Sequence, residues 1–152
     1  MSPGQGGPHP SPGRSGGLFH VLFEAAMRAR ALAYAPYSGY PVGAALLDGE
    51  GRVHCGCNVE NVSYGLSVCA ERNAVAAMVL AGGRDVREVL LVTEDGGVPC
   101  GACLQVLSEF CGDPEGTQVH LCTPKGLGRT SFLSELSPAT FRSDQVSRTD
   151  RG

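Results

Sequence analysis

Three cysteines and one glutamate are the residues of this sequence with the clearest chemical meaning. Cys69 precedes Glu71 by two positions, and Cys100 and Cys103, which follow Pro99, are three positions apart. Thiolates are common zinc ligands in proteins, and three protein ligands leave the fourth tetrahedral position of zinc for water. The residue types and their spacing therefore predict a zinc site formed by the three cysteines.

This spacing is physically sensible where helices begin. In the middle of a helix, side chains two positions apart point to opposite sides, so Cys69 and Glu71 could approach one ion only at an open first turn. Cys100 and Cys103 share one helical face, so both sulfurs can reach a single metal. The unpaired N–H groups and the positive dipole ends of the helices would help to keep the thiols ionised. We therefore expect two helices that each begin at a predicted ligand.

Glu71 is predicted to move protons. It is not needed as a ligand, and a positioned carboxylate can take a proton from a metal-activated water and pass it to a substrate. Two alternatives stay open at this point. The first is a structural zinc site with a fourth ligand elsewhere, in which Glu71 is a solvated helix residue. The second is a redox dithiol of Cys100 and Cys103, which leaves Cys69 and Glu71 without a role.

Arg72 is predicted to moderate the charge of the site. Three thiolates on a divalent zinc give a negative cluster, which makes the metal a weaker electrophile. A guanidinium that hydrogen-bonds the sulfurs would withdraw part of this charge. The alternative is an ordinary surface arginine.

Taken together, the two motifs match the signature of zinc-dependent deaminases, and the chain from about Leu18 to Phe141 resembles the small, homotetrameric cytidine deaminases. The resemblance also includes Tyr34 to Leu46, Asn58 to Asn61, Gln105 and Leu136 to Phe141. It implies one zinc per chain and hydrolytic deamination of cytidine and 2′-deoxycytidine to uridine and 2′-deoxyuridine, with release of ammonia, in pyrimidine salvage. The implied fold is a three-layer α/β domain with a five-stranded mixed sheet flanked by helices.

The resemblance further implies how the nucleoside is held. Asn58 and Glu60 would hydrogen-bond the sugar, chiefly its 3′-hydroxyl, since a carboxylate accepts and an amide both donates and accepts. Phe141 would pack on the base in a neighbouring subunit, so that active sites are shared within a homotetramer. The other implied substrate contacts are Tyr40, Ala70 and Tyr64. Tyr40 stands where relatives usually carry Phe, and its hydroxyl needs a partner if it is buried.

The composition argues against a polymeric substrate. The net charge is -3, Lys and Arg total only 12, and no basic cluster is present to contact phosphates. A nucleoside antibiotic or free cytosine is an alternative substrate for the same chemistry. Asn58 and Glu60 argue against free cytosine, because it has no sugar.

The length of 152 residues predicts one domain. Residues 1–17 are Gly-, Pro- and Ser-rich and are expected to be a disordered tail, followed by a catalytic domain over 18–141 and a second tail over 142–152. No apolar run resembles a signal peptide or a membrane span, so we expect a cytoplasmic protein with reduced thiols. The remaining cysteines, Cys55, Cys57, Cys111 and Cys122, are expected to be reduced, with Cys55 and Cys57 as small core residues of one strand face.

The elements that must position these residues alternate between helices and strands. Helices are predicted over 18–33 and 69–81 and from about residue 100. The second of them carries a face of small residues, formed by Ala70, Ala74, Ala77 and Ala81, to which another helix could pack closely. Strands are predicted over 42–47, 52–58, 86–93, 118–123 and 128–132. The strand over 86–93 is almost continuously apolar, which is typical of a strand covered on both faces.

Overall fold

The computed structural model describes residues 16–143. The helices are α1 (Gly16–Ala31), α2 (Ala70–Leu80), α3 (Gly101–Phe110) and the short α4 (Leu133–Leu136), and Tyr64–Leu66 form one 3-10 turn. The strands are β1 (Gly43–Asp48), β2 (Val53–Cys57), β3 (Val86–Val92), β4 (Gln118–Thr123) and β5 (Gly126–Phe132). Every helix and strand expected from the sequence is present, and α4 is an addition.

The five strands form one mixed sheet in the order β2-β1-β3-β4-β5. β3 and β4 are parallel and are connected through α3, whereas the other neighbouring pairs are antiparallel. Gly43, the first residue of β1, pairs with both Cys57 and Val92, the last residues of β2 and β3. The chain therefore leaves β2 toward α2, and β3 toward α3, at the same edge of the sheet.

Apolar side chains cover both faces of the sheet, which gives the expected three layers. On one face, Leu22 and Ala26 of α1 pack in a cluster with Leu90 and Val92 of β3. On the other face, α2, α3 and α4 bury a larger cluster that includes Met78, Leu91 and Leu107. Successive β3 residues thus enter opposite clusters, and the prediction of a strand covered on both faces is confirmed. Burial of these side chains is the main stabilising contribution to such a fold.

The buried half of the small-residue face of α2, Ala70 and Ala74, packs on the sheet and not on another helix as expected. Ala70 and Ala74 are fully buried. A Cβ atom at Gly56 of β2 would lie 2.5 Å from the amide nitrogen of Ala74 and 2.6 Å from the carbonyl oxygen of Ala70. Glycine is therefore required at position 56, because only a strand without a side chain lets the first turns of α2 approach so closely.

The far end of α2 is held by a buried carboxylate at the β1–β2 hairpin. Asp48 accepts hydrogen bonds from Arg52 Nε and His54 Nε2, both at 2.8 Å. Arg52 also donates from Nη1 to the carbonyl oxygen of Ala81 at 2.9 Å, directly after α2. Burial alone would raise the pKa of Asp48, but these donors hold it well below its usual value.

Three further expectations need correction or lie outside the described residues. α1 begins at Gly16, so the predicted tail over 1–17 extends two residues too far, and its remaining residues lie outside the described part of the chain. Of the predicted tail over 142–152, only residues 142 and 143 are described. Cys55 is exposed and is therefore not a core residue, whereas Cys57 is half-buried. Within residues 16–143, no helix is long and apolar enough to cross a membrane.

Candidate active site and metal centre

The beginnings of α2 and α3 present the predicted ligands. Cys69 is the residue immediately before α2, and Cys100 is the residue immediately before α3; both have extended backbone, with φ of -70° and ψ of 157° and 165°. Cys103 lies in the first turn of α3 and is buried. The prediction that one helix begins at Cys69 and another near Cys100 is confirmed, and the first turn of each helix has N–H groups without a partner inside the helix.

The three sulfur atoms converge on one point. All of them lie within 4.8 Å of one another, and Cys69 Sγ is 3.9 Å from Cys100 Sγ. The other four cysteines are also unpaired thiols. Among residues 16–143 this is the one group of three or more potential ligands close enough to hold a metal ion.

The pKa values of two of the thiols are shifted in opposite directions. A hydrogen bond from Cys103, together with Arg72, lowers the pKa of Cys69 to about 5. The pKa of Cys103 is raised, because it is the donor in that bond and is buried. A divalent metal bound by these sulfurs would displace the thiol protons, because thiolates are its ligands. The donor set fits zinc, which favours tetrahedral coordination by sulfur and nitrogen.

Glu71 is buried beside the thiols, with only 5% of its surface exposed. Burial raises its pKa, and the nearby charge of Cys69 acts in the same direction, while a hydrogen bond with Cys103 opposes them. Because Glu71 is enclosed next to the cluster, the alternative of a solvated helix residue is wrong. A raised pKa makes a buried carboxylate a better proton acceptor, which suits a general acid–base.

Arg72 is directed toward the same sulfurs. Its Nη2 donates to Cys69 Sγ at 3.6 Å and lies 3.5 Å from the carbonyl oxygen of Ser67. Hydrogen bonds to Cys69 and Cys103 raise the pKa of the guanidinium, so it carries its charge at the cluster. The alternative of an ordinary surface arginine is therefore wrong.

A cavity of about 420 Å³ lies in front of the thiols. Cys69, Cys100 and Glu71 line one part of it, together with Ala70, the first residue of α2. The rest of the lining comes from Ser38, Tyr40, Val42, Asn58, Glu60, Leu91, Thr93, Gly97 and Val98. The volume is within the range of small-molecule sites. The fold thus brings two of the thiols to one cavity with Glu71, Asn58, Glu60, Tyr40 and Ala70, and the sulfur of Cys103 lies within 4.8 Å of those two thiols.

Asn58 and Glu60 are fixed by backbone contacts on the wall of this cavity. Asn58 Oδ1 accepts from Val42 N at 2.8 Å, and its Nδ2 donates to the carbonyl oxygen of Tyr40 at 2.9 Å. Glu60 Oε1 accepts from the amides of Tyr37 and Ser38 at 3.0 and 3.1 Å. Hydrogen bonds from the side chain and backbone of Ser38 keep the pKa of Glu60 low. Glu60 is therefore an ionised acceptor whose second oxygen can receive a hydroxyl.

Two of the predicted substrate contacts, Tyr64 and Phe141, do not line this cavity. Tyr64 lines a neighbouring cavity of about 340 Å³, and Glu60 lines this cavity as well. The ring centroids of Tyr64 and Tyr37 are 5.8 Å apart there. Phe141 is 63% exposed, and its carbonyl oxygen accepts from Gln105 Nε2 at 2.9 Å. Phe141 therefore makes no part of its own chain's cavity.

Sequence reasoning missed the segment between β3 and α3. Thr93, Gly97 and Val98 line the cavity, and Asp95 accepts a hydrogen bond of 2.5 Å from the hydroxyl of Tyr40. This supplies the partner that the Tyr40 hydroxyl was expected to need. The position of this segment in the sequence could have identified it as part of the site, because it joins the end of a buried strand to the Pro-Cys-x-x-Cys motif.

Comparisons with known proteins agree with this geometry. Residues 20–115 match the family model described as the cytidine and deoxycytidylate deaminase zinc-binding region. The chain is 43% identical over 128 residues to a cytidine deaminase of Halalkalibacterium halodurans (83% of this chain, 96% of that protein) and 44% identical over 135 residues to one of Mycobacterium tuberculosis (88% and 96%). The crystal structure of cytidine deaminase from Burkholderia pseudomallei aligns with a TM-score of 0.74 at 46% identity, covering 80% of this chain and 98% of that one.

Proposed function

The chain belongs to the cytidine and deoxycytidylate deaminase family, and we propose that it converts cytidine and 2′-deoxycytidine to the corresponding uridines, releasing ammonia, in pyrimidine salvage. It is a zinc-dependent hydrolytic deaminase. The observation that carries the substrate assignment is one cavity whose lining includes Cys69, Cys100 and Glu71 as well as Asn58 and Glu60. The cysteines and Glu71 suit hydrolysis of an amino-substituted ring, and Asn58 and Glu60 suit recognition of a sugar.

Cys69, Cys100 and Cys103 would hold the zinc, one ion per chain. When bound there, zinc would supply the Lewis acid that makes a water molecule nucleophilic enough to attack C4 of the pyrimidine ring. Glu71 accepts the proton of this water and delivers a proton to N3, which makes C4 a better electrophile. It then takes the proton of the hydroxyl newly attached to C4 and passes it to the amino group, so that the C4–N bond breaks, the C4 carbonyl of the uridine forms and ammonia leaves.

The other cavity residues would bind and orient the nucleoside. Glu60 accepts from a sugar hydroxyl with its second carboxylate oxygen, while Asn58 offers the remaining hydrogen of its amide group. Ala70 is the first residue of α2, so its N–H lacks a partner within the helix and can donate to the base. The ring of Tyr40 lies along the base, and Tyr64 contributes from the neighbouring cavity.

The assay that tests this function compares cytidine, 2′-deoxycytidine, adenosine and cytosine with purified protein, following ultraviolet absorbance and ammonia. Turnover of the first two, with zinc bound at one ion per chain, is the expected result. Turnover of cytosine equal to that of cytidine would contradict the sugar-binding roles of Asn58 and Glu60. Zinc-loaded protein that turned over none of these substrates would contradict the function itself.

Arg72 is expected to tune the metal. In Arg72→Ala the ligands and their geometry survive, so zinc should be retained. The sulfurs would donate more charge, so the water should ionise less readily and kcat should fall by about 10- to 100-fold, as changes around metal ligands commonly do. Arg72→Lys should restore only part of the rate, because an ammonium group cannot contact two sulfurs as a planar fork does. Unchanged kcat in Arg72→Ala at full zinc loading would make this arginine a bystander.

We also propose a homotetramer with shared active sites, acting in a reducing compartment such as the cytoplasm. Exposed apolar side chains near the site support the assembly: Tyr34, Tyr37, Val59, Val62, Tyr64 and Leu66. Such exposure is typical of surfaces that bind another protein. The seven unpaired cysteines suit a reducing compartment.

Phe141 is the residue through which the sites would be shared. Truncation before Phe141 is expected to raise KM for cytidine while lowering the melting temperature only slightly, since the ring would contact substrate in a neighbouring subunit. A matched truncation that removes only residues 144–152 retains Phe141 and should behave as the full chain. An unchanged KM in a truncated protein that still assembles would exclude a shared site.

A further inference from the structure

The loop between β3 and α3 is held against the opposite side of the cavity by one carboxylate oxygen. Asp95 Oδ1 accepts from the Tyr40 hydroxyl at 2.5 Å, from Thr93 Oγ1 at 3.3 Å and from Gly97 N at 3.2 Å. Tyr40, Thr93 and Gly97 line the cavity, whereas Asp95 does not. One oxygen therefore connects the Tyr40 side of the cavity to the loop that leads to Cys100.

Two further contacts support the same arrangement. Gly97 N also donates to Thr93 Oγ1 at 2.8 Å, so the loop is closed on itself around the acceptor. A Cβ atom at Gly97 would lie 3.0 Å from the Tyr40 hydroxyl oxygen and 3.2 Å from Asp95 Oδ1. The phenol thus fits closely into the loop, and a methyl group at position 97 would require its hydroxyl to shift by a few tenths of an ångström.

We propose that Asp95 is a positioning residue for the deamination reaction, which acts by fixing the ring of Tyr40 against the nucleoside. A phenylalanine at position 40 could present a similar ring, but it could not be held by the loop. The Tyr40–Asp95 hydrogen bond sets the distance between the two sides of the cavity, and so it contributes to substrate binding more than to proton transfer. This inference rests on the proposed function, because it assigns the cavity to a nucleoside.

The neighbouring Glu94 provides a control from the same loop. Its carboxylate accepts from Arg30 Nη2 of α1 at 2.8 Å, and it does not line the cavity. Glu94→Gln therefore alters a charged contact of this loop while the Tyr40–Asp95 hydrogen bond keeps both of its partners.

The test measures kcat, KM and zinc content for Tyr40→Phe, Asp95→Ala, their double variant and Glu94→Gln. Loss of one hydrogen bond predicts a rise in KM for cytidine of about three- to tenfold in each of the first two variants. The double variant should be no worse than the worse single variant, because both remove the same bond. Asp95→Asn, which keeps an acceptor oxygen, should restore part of the affinity. In all of these variants kcat and zinc content should stay near the values of the unmodified protein. The KM of Glu94→Gln should also stay near the unmodified value. Additive effects, or an equal rise of KM in Glu94→Gln, would overturn the proposal.

Gly97→Ala gives a second, independent arm. It should raise KM in the unmodified background and cause little further change with Tyr40→Phe, since the atom that the methyl group displaces is then absent. Equal effects in both backgrounds would contradict the inference.

A double-variant cycle on the free energy of unfolding tests the Tyr40–Asp95 contact without any substrate. No coupling there would overturn the inference whatever the substrate is. Coupling in the absence of cytidine turnover by the unmodified protein would instead contradict the proposed function.

Discussion

Glu71→Gln is expected to bind zinc at one ion per chain and to lose nearly all turnover. The change keeps the shape of the side chain but removes its ability to accept and release a proton. A lost general acid–base typically costs about 10² to 10⁴ in rate. Kinetics with cytidine, together with metal analysis of the same preparation, would measure both quantities, and Glu71→Ala should give the same result because Glu71 is not a ligand.

Glu109→Gln is the matched control for this prediction. Glu109 is an exposed glutamate of α3 that does not line the cavity, so the same loss of charge should leave the rate unchanged. Zinc loss in Glu71→Gln comparable to that of a cysteine variant would contradict the assigned role. It would make Glu71 a ligand and return the site to the structural-zinc interpretation.

Cys100→Ala is expected to lose both zinc and activity. Removing one of three thiolates weakens the metal site directly, so the rate should fall by more than the roughly 10- to 100-fold that changes around metal ligands cost. Zinc content by atomic spectroscopy and kcat for cytidine are the measurements. Added zinc should restore activity only in part, because two thiolates bind the ion less tightly than three.

Cys55→Ala is the corresponding control. Cys55 is an exposed thiol of β2 that lies outside the group of convergent sulfurs, so its loss should change neither zinc content nor rate. A Cys100→Ala protein that retained stoichiometric zinc would show that the metal is held by other residues. The mechanism proposed above would then have no metal centre at this cavity.

Much of this site could be predicted from the sequence, because its chemistry depends on residue type and local spacing. The interval that joins Cys69 to Glu71 makes sense only at a helix N-terminus, whereas Cys100 and Cys103 share one helical face. α2 and α3 begin directly after Cys69 and Cys100. The continuous apolar character of residues 86–93 likewise predicts a strand with both faces covered, which is β3. The identity of the sugar-binding pair came from resemblance to a known family, and its role remains a prediction.

Other features were decided by tertiary structure. The sequence does not say which element packs against the small face of α2, and the close approach of Gly56 depends on the pairing of β2 with β1. Nor could it say that Cys55, in an alternating strand pattern, lies where no helix covers it.

Asp95 is the clearest case, since it meets Tyr40 across 55 positions of sequence. Local patterns specify which side chains share a face of one helix or strand, because the backbone repeat fixes that. Contacts between loops depend instead on the order and register of the strands that carry them. The sequence determined the chemistry of the thiols and Glu71, and only the packed sheet determined which residues surround them.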